Sequence, residues 1–155
     1  MGGVMGCVLD DSTVENNTNR FNGGGALQST LNRCLICNNQ AQQDGGGAYQ
    51  CELNFCTISN NLAGRWGGGV YEVANSTNRS GVNSLVIGNS ASFYGGGGCF
   101  TTAGSFAATN WDFSGWTFAS NSAVSDGGGL YEFQTTPLNN CVFTDNSAGR
   151  NGGGF

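Results

Sequence analysis

The sequence of 155 residues contains no lysine, no histidine, one proline and only five arginines. The absence of histidine removes the commonest general base and metal ligand. With so few cations and a net charge of −5, the chain has no electrostatic basis for binding nucleic acid. No run approaches the roughly 18 apolar residues of a membrane-spanning helix, so the sequence predicts no membrane insertion by this segment.

Glycine, by contrast, is abundant, with 28 residues in the chain. The glycines follow no three-residue period, which excludes collagen. The net charge is also too small to complete the case for a disordered chain. Most of the glycines instead form regularly spaced triplets: Gly23–Gly25, Gly45–Gly47, Gly67–Gly69, Gly95–Gly97, Gly127–Gly129 and Gly152–Gly154.

The triplets belong to a longer repeat of about 22 residues. An apolar residue lies nine positions before each triplet, and an asparagine follows that residue by three positions. The apolar residues are Val14, Ile36, Ile58, Val86, Phe118 and Phe143. The asparagines are Asn17, Asn39, Asn61, Asn89, Asn121 and Asn146.

This repeat predicts an all-β solenoid. Three glycines per unit would destabilise a helix by about 3 kcal/mol relative to alanine, whereas short stretches such as Cys34-x-Ile36 alternate as strands do. Each unit then forms one coil of a parallel β-helix, with about seven coils and with insertions in the later ones. The stacked asparagines are expected to form a side-chain ladder at one corner. We expect residues 1–155 to form a single repeat domain and, since neither end shows a complete cap, to be part of a longer protein.

The paired elements resemble a known family. Ile58-x-x-Asn61 and Phe118-x-x-Asn121 are similar to the FxxN element of polymorphic outer membrane protein repeats, and Gly46-Gly47-Ala48 is similar to the companion GGA[ILV] element. The resemblance extends over nearly the whole chain. It implies a right-handed parallel β-helix of the pectin-lyase-like type, displayed at a cell surface and associated with adhesion. The localisation it implies is therefore extracellular or at the outer membrane surface.

Seven cysteines leave three interpretations open. Cys34, Cys56 and Cys141 occupy one inward position of the repeat, which favours buried free thiols. A disulfide between Cys34 and Cys56 in adjacent coils is an alternative. The third and least favoured interpretation is a zinc site, formed by Cys34-x-x-Cys37 with Cys51 and Cys56 as further ligands. The sequence predicts no metal site and no cofactor.

The distribution of the carboxylates along the sequence favours a protein that is not an enzyme. Asp10 and Asp11 are the only adjacent pair, and the others are scattered. Glu72 and Glu132 share a repeat position, but Phe100 lies between them in the same column. A solvated surface is therefore the preferred interpretation of these groups.

Insertions in the later coils point to a binding edge. Relative to the 22-residue coil, extra residues fall at 73–84, 100–115 and 133–140, so all three emerge at the same edge of the rod. By alignment Phe113 and Trp116 point inward. An exposed aromatic platform is therefore predicted from the rest of the middle insertion: Phe100, Phe106, Trp111 and Asp112.

Three functional hypotheses follow. The first is a non-catalytic scaffold or adhesin-like module whose edge loops bind a protein or glycan of a host or neighbouring cell. The second is a fragment of a carbohydrate-active β-helix enzyme, a lyase or hydrolase. The third is a structural rod that binds ice or associates end to end with further copies. We prefer the first, because the chain has few groups suited to catalysis and no threonine column complete enough for ice binding.

Overall fold

The computed structural model of the protein describes residues 2–74, 81–102, 113–133 and 137–155. Within these ranges the chain forms strands and turns and no helix. Nothing in the described part of the chain is a helix long and apolar enough to cross a membrane.

The strands are short, and among the described residues each of the first three coils contains four strands and each of the next three contains three. The first two coils contain β1 (Val4–Met5), β2 (Val8–Asp10), β3 (Thr13–Glu15), β4 (Thr18–Asn19), β5 (Ala26–Leu27), β6 (Thr30–Asn32), β7 (Leu35–Cys37) and β8 (Gln40–Ala41). The next two contain β9 (Ala48–Tyr49), β10 (Glu52–Asn54), β11 (Thr57–Ser59), β12 (Leu62–Ala63), β13 (Val70–Ala74), β14 (Leu85–Ile87) and β15 (Ser90–Ala91). The last two contain β16 (Gly98–Thr102), β17 (Thr117–Ala119), β18 (Ser122–Ala123), β19 (Leu130–Glu132), β20 (Val142–Thr144) and β21 (Ser147–Ala148).

All strand pairs are parallel and join equivalent positions of successive coils. Among the described residues they form four sheets. Sheet A is β1-β5-β9-β13-β16-β19, sheet B is β2-β6-β10, sheet C is β3-β7-β11-β14-β17-β20, and sheet D is β4-β8-β12-β15-β18-β21. In sheet C, Ile58 pairs with Ile36 on one side and with Val86 on the other, as the repeat alignment predicts. The predicted class, an all-β parallel β-helix, is confirmed.

The core lies inside the coils, because alternate residues of each strand point inward. Ile36, Ile58, Val86 and Phe118 are fully buried in the inward column of sheet C, and Leu31 and Leu53 face them from sheet B. A fully buried aliphatic side chain of this size stabilises the fold by about 1.5–3 kcal/mol, so the stacked columns supply much of the driving force.

The fifth coil has an aromatic core. Phe100, Phe113, Trp116 and Phe118 are all at most 2% exposed, and the ring centroids of Trp116 and Phe118 lie 5.8 Å apart. The indole nitrogen of Trp116 donates a hydrogen bond to the carbonyl oxygen of Gly81 at 2.5 Å. The prediction that Phe113 and Trp116 point inward is confirmed.

Candidate functional site

The asparagine column forms a continuous ladder between sheets C and D. Each side-chain Nδ2 donates to Oδ1 of the asparagine in the next coil at 2.9–3.1 Å. The backbone N–H of the donor residue bonds to the same Oδ1 at 2.9–3.0 Å, which sets the orientation of the amide. From Asn39 onward, Nδ2 also donates to the carbonyl of the inward apolar residue one coil earlier. The ladder satisfies backbone groups at this corner, so its role is structural.

Of the residues predicted for an exposed platform, Phe100 lies among the residues that the structure describes. Phe106, Trp111 and Asp112 lie outside the described residues. Phe100 is 1% exposed, and its ring stacks on Phe113 with centroids 4.3 Å apart. The prediction of an exposed Phe100 is therefore corrected. Because side chains alternate along β16, Phe100 shares the inward face with Gly98 and belongs to the core.

A different aromatic group covers the outer surface of the glycine corner. Trp66 and Tyr94 immediately precede the first glycine of their triplets, and isolated bridges connect Trp66 to Tyr94 and Tyr94 to Asp126. Tyr71 in β13 and Tyr131 in β19 lie just after the same corner. We call the following six residues the ring cluster: Trp66, Tyr71, Phe93, Tyr94, Tyr131 and Phe133.

The rings of the cluster contact one another across several coils. Tyr94 stacks on Tyr131 with centroids 4.7 Å apart and planes 18° apart. Trp66 lies 6.1 Å from Tyr71 and 6.0 Å from Tyr94. Phe133 lies 5.9 Å from Trp66 and 5.0 Å from Tyr131, so it joins the two halves of the cluster. Pairs of this kind contribute about 0.5–1.5 kcal/mol beyond burial, and they hold the rings in place.

Two rings of the cluster remain open to solvent. Phe93 is 51% exposed and Phe133 is 49% exposed, whereas Tyr71 is buried and Trp66, Tyr94 and Tyr131 are half-buried. Large exposed aromatic side chains grouped in this way mark an interaction surface more often than a random patch does. The cluster therefore combines a rigid, partly buried base with two accessible phenyl rings.

The guanidinium group of Arg65 lies at one side of the cluster. The guanidinium carbon of Arg65 lies 4.7 Å from the ring centroid of Trp66. Arg65 Nε also lies 3.6 Å from Oδ1 of the buried Asp44. Burial raises the pKa of Asp44, and the charge of Arg65 and a hydrogen bond from the backbone of Trp66 partly oppose this. Arg65 thus compensates the carboxylate while its side chain stays 43% exposed.

A second carboxylate, Asp126, lies at the other side of the cluster. Its Oδ1 accepts hydrogen bonds from the backbone N–H of Asn151 at 3.1 Å and from Asn151 Nδ2 at 2.8 Å. Desolvation raises the pKa of Asp126. The hydrogen bonds from Asn151 and Ser125 and the charge of Arg150 outweigh that effect, so the pKa is lowered overall. Asp126 is therefore an ionised, hydrogen-bonded acceptor at neutral pH.

The buried phenol of Tyr71 predicts a loss of stability at alkaline pH. Burial raises the pKa of Tyr71 to about 12, although the Tyr71 hydroxyl lies 3.2 Å from Thr101 Oγ1, a hydrogen bond that lowers it. In the unfolded chain the pKa is about 10, so the folded state binds this proton more tightly and the free energy of unfolding falls as pH rises from about 10 towards 12. Urea unfolding midpoints across this range measure the fall. Tyr71→Phe should make the fall smaller without abolishing it, because burial also raises the pKa of Tyr49 and Tyr131 and of two thiols, Cys56 and Cys99. An unchanged pH dependence in this variant would contradict the assignment.

The carboxylate of Glu72, in β13, lies inside the coils. Glu72 is 1% exposed, and its Oε1 accepts a hydrogen bond from the backbone N–H of Cys51 at 2.8 Å. This carboxylate thus binds a backbone group of the preceding coil. No group of three or more Cys, Asp or Glu side chains that could hold a metal ion is present among the described residues.

Cys34 and Cys56 are free thiols in the structure. Cys34 and Cys56 are buried in the inward column, and Cys141 is partly buried in the same column. The Sγ of Cys56 donates to the carbonyl of Leu31 at 3.2 Å, and the Sγ of Cys34 donates to the carbonyl of Asn32 at 3.3 Å. The preferred interpretation, buried free thiols, is confirmed for Cys34 and Cys56.

Sequence reasoning missed most of the ring cluster, although part of its signal was available. A tyrosine recurs after the glycines at Tyr49, Tyr71 and Tyr131. Trp66 and Tyr94, however, occupy a column that otherwise holds aspartate or asparagine, and that column suggests only a turn. The contact between Phe133 and Trp66 joins residues two coils apart, which no local pattern indicates.

Comparison with known proteins gives one match. The model of the Chlamydia polymorphic membrane protein repeat matches residues 55–71. No curated protein and no solved structure matches the chain. The matched segment contains Ile58, Asn61 and the triplet Gly67–Gly69, the two elements on which the sequence resemblance depends. The chain therefore carries a repeat of the polymorphic membrane protein type, and the resemblance drawn from its sequence is confirmed.

Proposed function

We propose that the protein is a non-catalytic β-helix scaffold, displayed at a cell surface or secreted, that binds a partner through the edge carrying the ring cluster. The matched repeat belongs to a membrane protein family of Chlamydia, which supports placement at a cell surface. The stacked coils and the asparagine ladder supply a stiff support for such an edge.

The ring cluster is the observation that carries the proposal. Its aromatic residues, together with Arg65, are the residue types that supply most of the energy at protein interfaces. The rings are held by each other, so little conformational entropy is lost when a partner binds.

The strands that precede the insertions carry or adjoin residues of the ring cluster. Residues 75–80 follow β13, residues 103–112 follow β16 and residues 134–136 follow Phe133, and β13, β16 and β19 are neighbours in sheet A. The strands after which the three segments follow in the sequence are therefore next to one another. The middle segment contains the predicted Phe106, Trp111 and Asp112, so those residues fit the same proposal.

Cell binding tests this function. Fluorescently labelled full-length chain should bind to the surface of host or neighbouring cells and saturate. Phe93→Ser and Phe133→Ser should each weaken binding by about tenfold or more, because exposed aromatic anchors dominate such interfaces. Phe55→Ser is the matched control, since Phe55 is 58% exposed but lies at the turn between β10 and β11. Absence of saturable binding, or equal losses in all three variants, would refute the proposal.

A further inference from the structure

We propose that the ligand of the ring cluster is a neutral glycan chain, an inference that rests on the binding function proposed above. The ring cluster supplies apolar surfaces for the faces of sugar rings. The polar groups at its two sides supply hydrogen bonds for sugar hydroxyls. Its compensated charges exclude strongly ionic ligands.

The apolar surfaces come from Phe93 and Phe133. Both are about half exposed, and both are fixed by contacts with buried or half-buried neighbours, at 6.5 Å to Tyr94 and 5.0 Å to Tyr131. A sugar ring presents a face of C–H groups, which packs on an aromatic ring. Trp66, Tyr94 and Tyr131, which contact these two phenyl rings, add rigid, amphipathic contact area at low entropic cost.

The hydrogen-bonding groups are Arg65 and Asp126. Arg65 approaches Asp44 through Nε, lies over the ring of Trp66 and remains 43% exposed, so solvent and a ligand can reach its side chain. Asp126 is a carboxylate held by Asn151 and Ser125. A planar donor group and a planar acceptor group at opposite sides of the rings suit the paired hydroxyls of a saccharide.

Two of the carboxylates near the cluster each lie close to an arginine. Asp44 lies 3.6 Å from Arg65, and Asp126 lies within the field of Arg150. The chain contains no lysine that could neutralise sulfate or phosphate groups. At Arg65 and at Asp126, an anionic polysaccharide or a strongly basic peptide would therefore compete with an existing attraction between an arginine and a carboxylate, and a neutral glycan fits best.

Direct binding of defined saccharides tests this inference. The full chain is titrated with neutral hexamers of N-acetylglucosamine, glucose and mannose, with a heparin hexasaccharide, and with an arginine-rich peptide. At least one neutral hexamer should bind with an affinity that is insensitive to salt. Phe93→Ser and Phe133→Ser should each weaken it at least tenfold, and Arg65→Ala should weaken it as well. Phe55→Ser should leave it unchanged, and melting temperatures show that each variant is folded.

The outcomes separate the inference from the proposed function. Binding of heparin or the basic peptide alone, binding of no probe, or neutral binding that survives both phenylalanine substitutions overturns the glycan assignment. Cell binding that depends on Phe93 and Phe133 but resists enzymatic removal of surface glycans also overturns it, and identifies a protein partner while the proposed function stands. A chain that binds no cells refutes the proposed function whatever the saccharide titrations show.

Discussion

Asn61→Ala should lower the free energy of unfolding by about 4 kcal/mol, an exceptional loss for one side chain. The Asn61 amide takes part in four side-chain hydrogen bonds: two from Asn39 to its Oδ1, and two from its Nδ2 to Ile36 and Asn89. Each contributes about 1 kcal/mol net. The loss is not compensated by water, because Asn39, Asn61 and Asn89 are each 1% exposed.

Asn17→Ala is the matched control for this experiment. Asn17 occupies the same column in the first coil, and its Nδ2 donates to Glu15 and to Asn39. These bonds are partly exposed to solvent, so the substitution should destabilise the fold by only about 1 kcal/mol. Urea unfolding followed by circular dichroism measures both. Equal losses for the two substitutions would show that the ladder does not contribute through its buried bonds.

Gly46→Ala should lower the free energy of unfolding at least as much as Asn61→Ala, for a steric reason. A Cβ at this position would meet the carbonyl oxygen of Gly68 in the next coil and would lie 2.5 Å from the carbonyl oxygen of Leu62. Both obstacles are backbone atoms, so relief requires the coils to separate. We expect a loss of more than about 4 kcal/mol, seen as a collapse of the unfolding midpoint or as loss of cooperative folding.

Gly153→Ala controls for glycine replacement itself. Gly153 is also the middle glycine of its triplet, but the nearest atom to its added Cβ is the carbonyl oxygen of Asn146, at 3.0 Å. A shift of a few tenths of an ångström accommodates that methyl group, and the destabilisation should stay below about 1 kcal/mol. Comparable unfolding midpoints for Gly46→Ala and Gly153→Ala would remove close coil packing as the reason for the central glycines.

The repeat made the fold predictable because each structural position is represented several times in the sequence. An inward position holds Cys34, Cys56 and Cys141, so the alignment identifies it even where other residues occur. The same comparison of equivalent repeat positions gave the wrong prediction for Phe100. Its column contains Gln50 and Glu72, which suggested a solvated position, yet Gln50 is 8% exposed and Glu72 is 1% exposed. Strand alternation places Glu72 and Phe100 inward, and the Glu72 carboxylate accepts a hydrogen bond from the backbone N–H of Cys51.

The ring cluster could not be predicted in the same way, because it depends on residues that break the repeat. Trp66 and Tyr94 replace the usual turn residues, and Phe133 lies where an insertion begins. Their contacts result from side-chain directions across neighbouring coils, as in the tilt of 39° between Trp66 and Tyr94. A one-dimensional pattern carries no information on such angles.

The asparagine ladder also gives the rod a net dipole along its axis. In every coil the amide oxygen accepts from the earlier asparagine and the amide nitrogen donates towards the later one, from Asn17 to Asn146. Strand dipoles largely cancel in a sheet, but these amide dipoles all point the same way, as peptide dipoles do in a helix. The column therefore carries partial negative charge towards Asn17 and partial positive charge towards Asn146, and each amide polarises the next one.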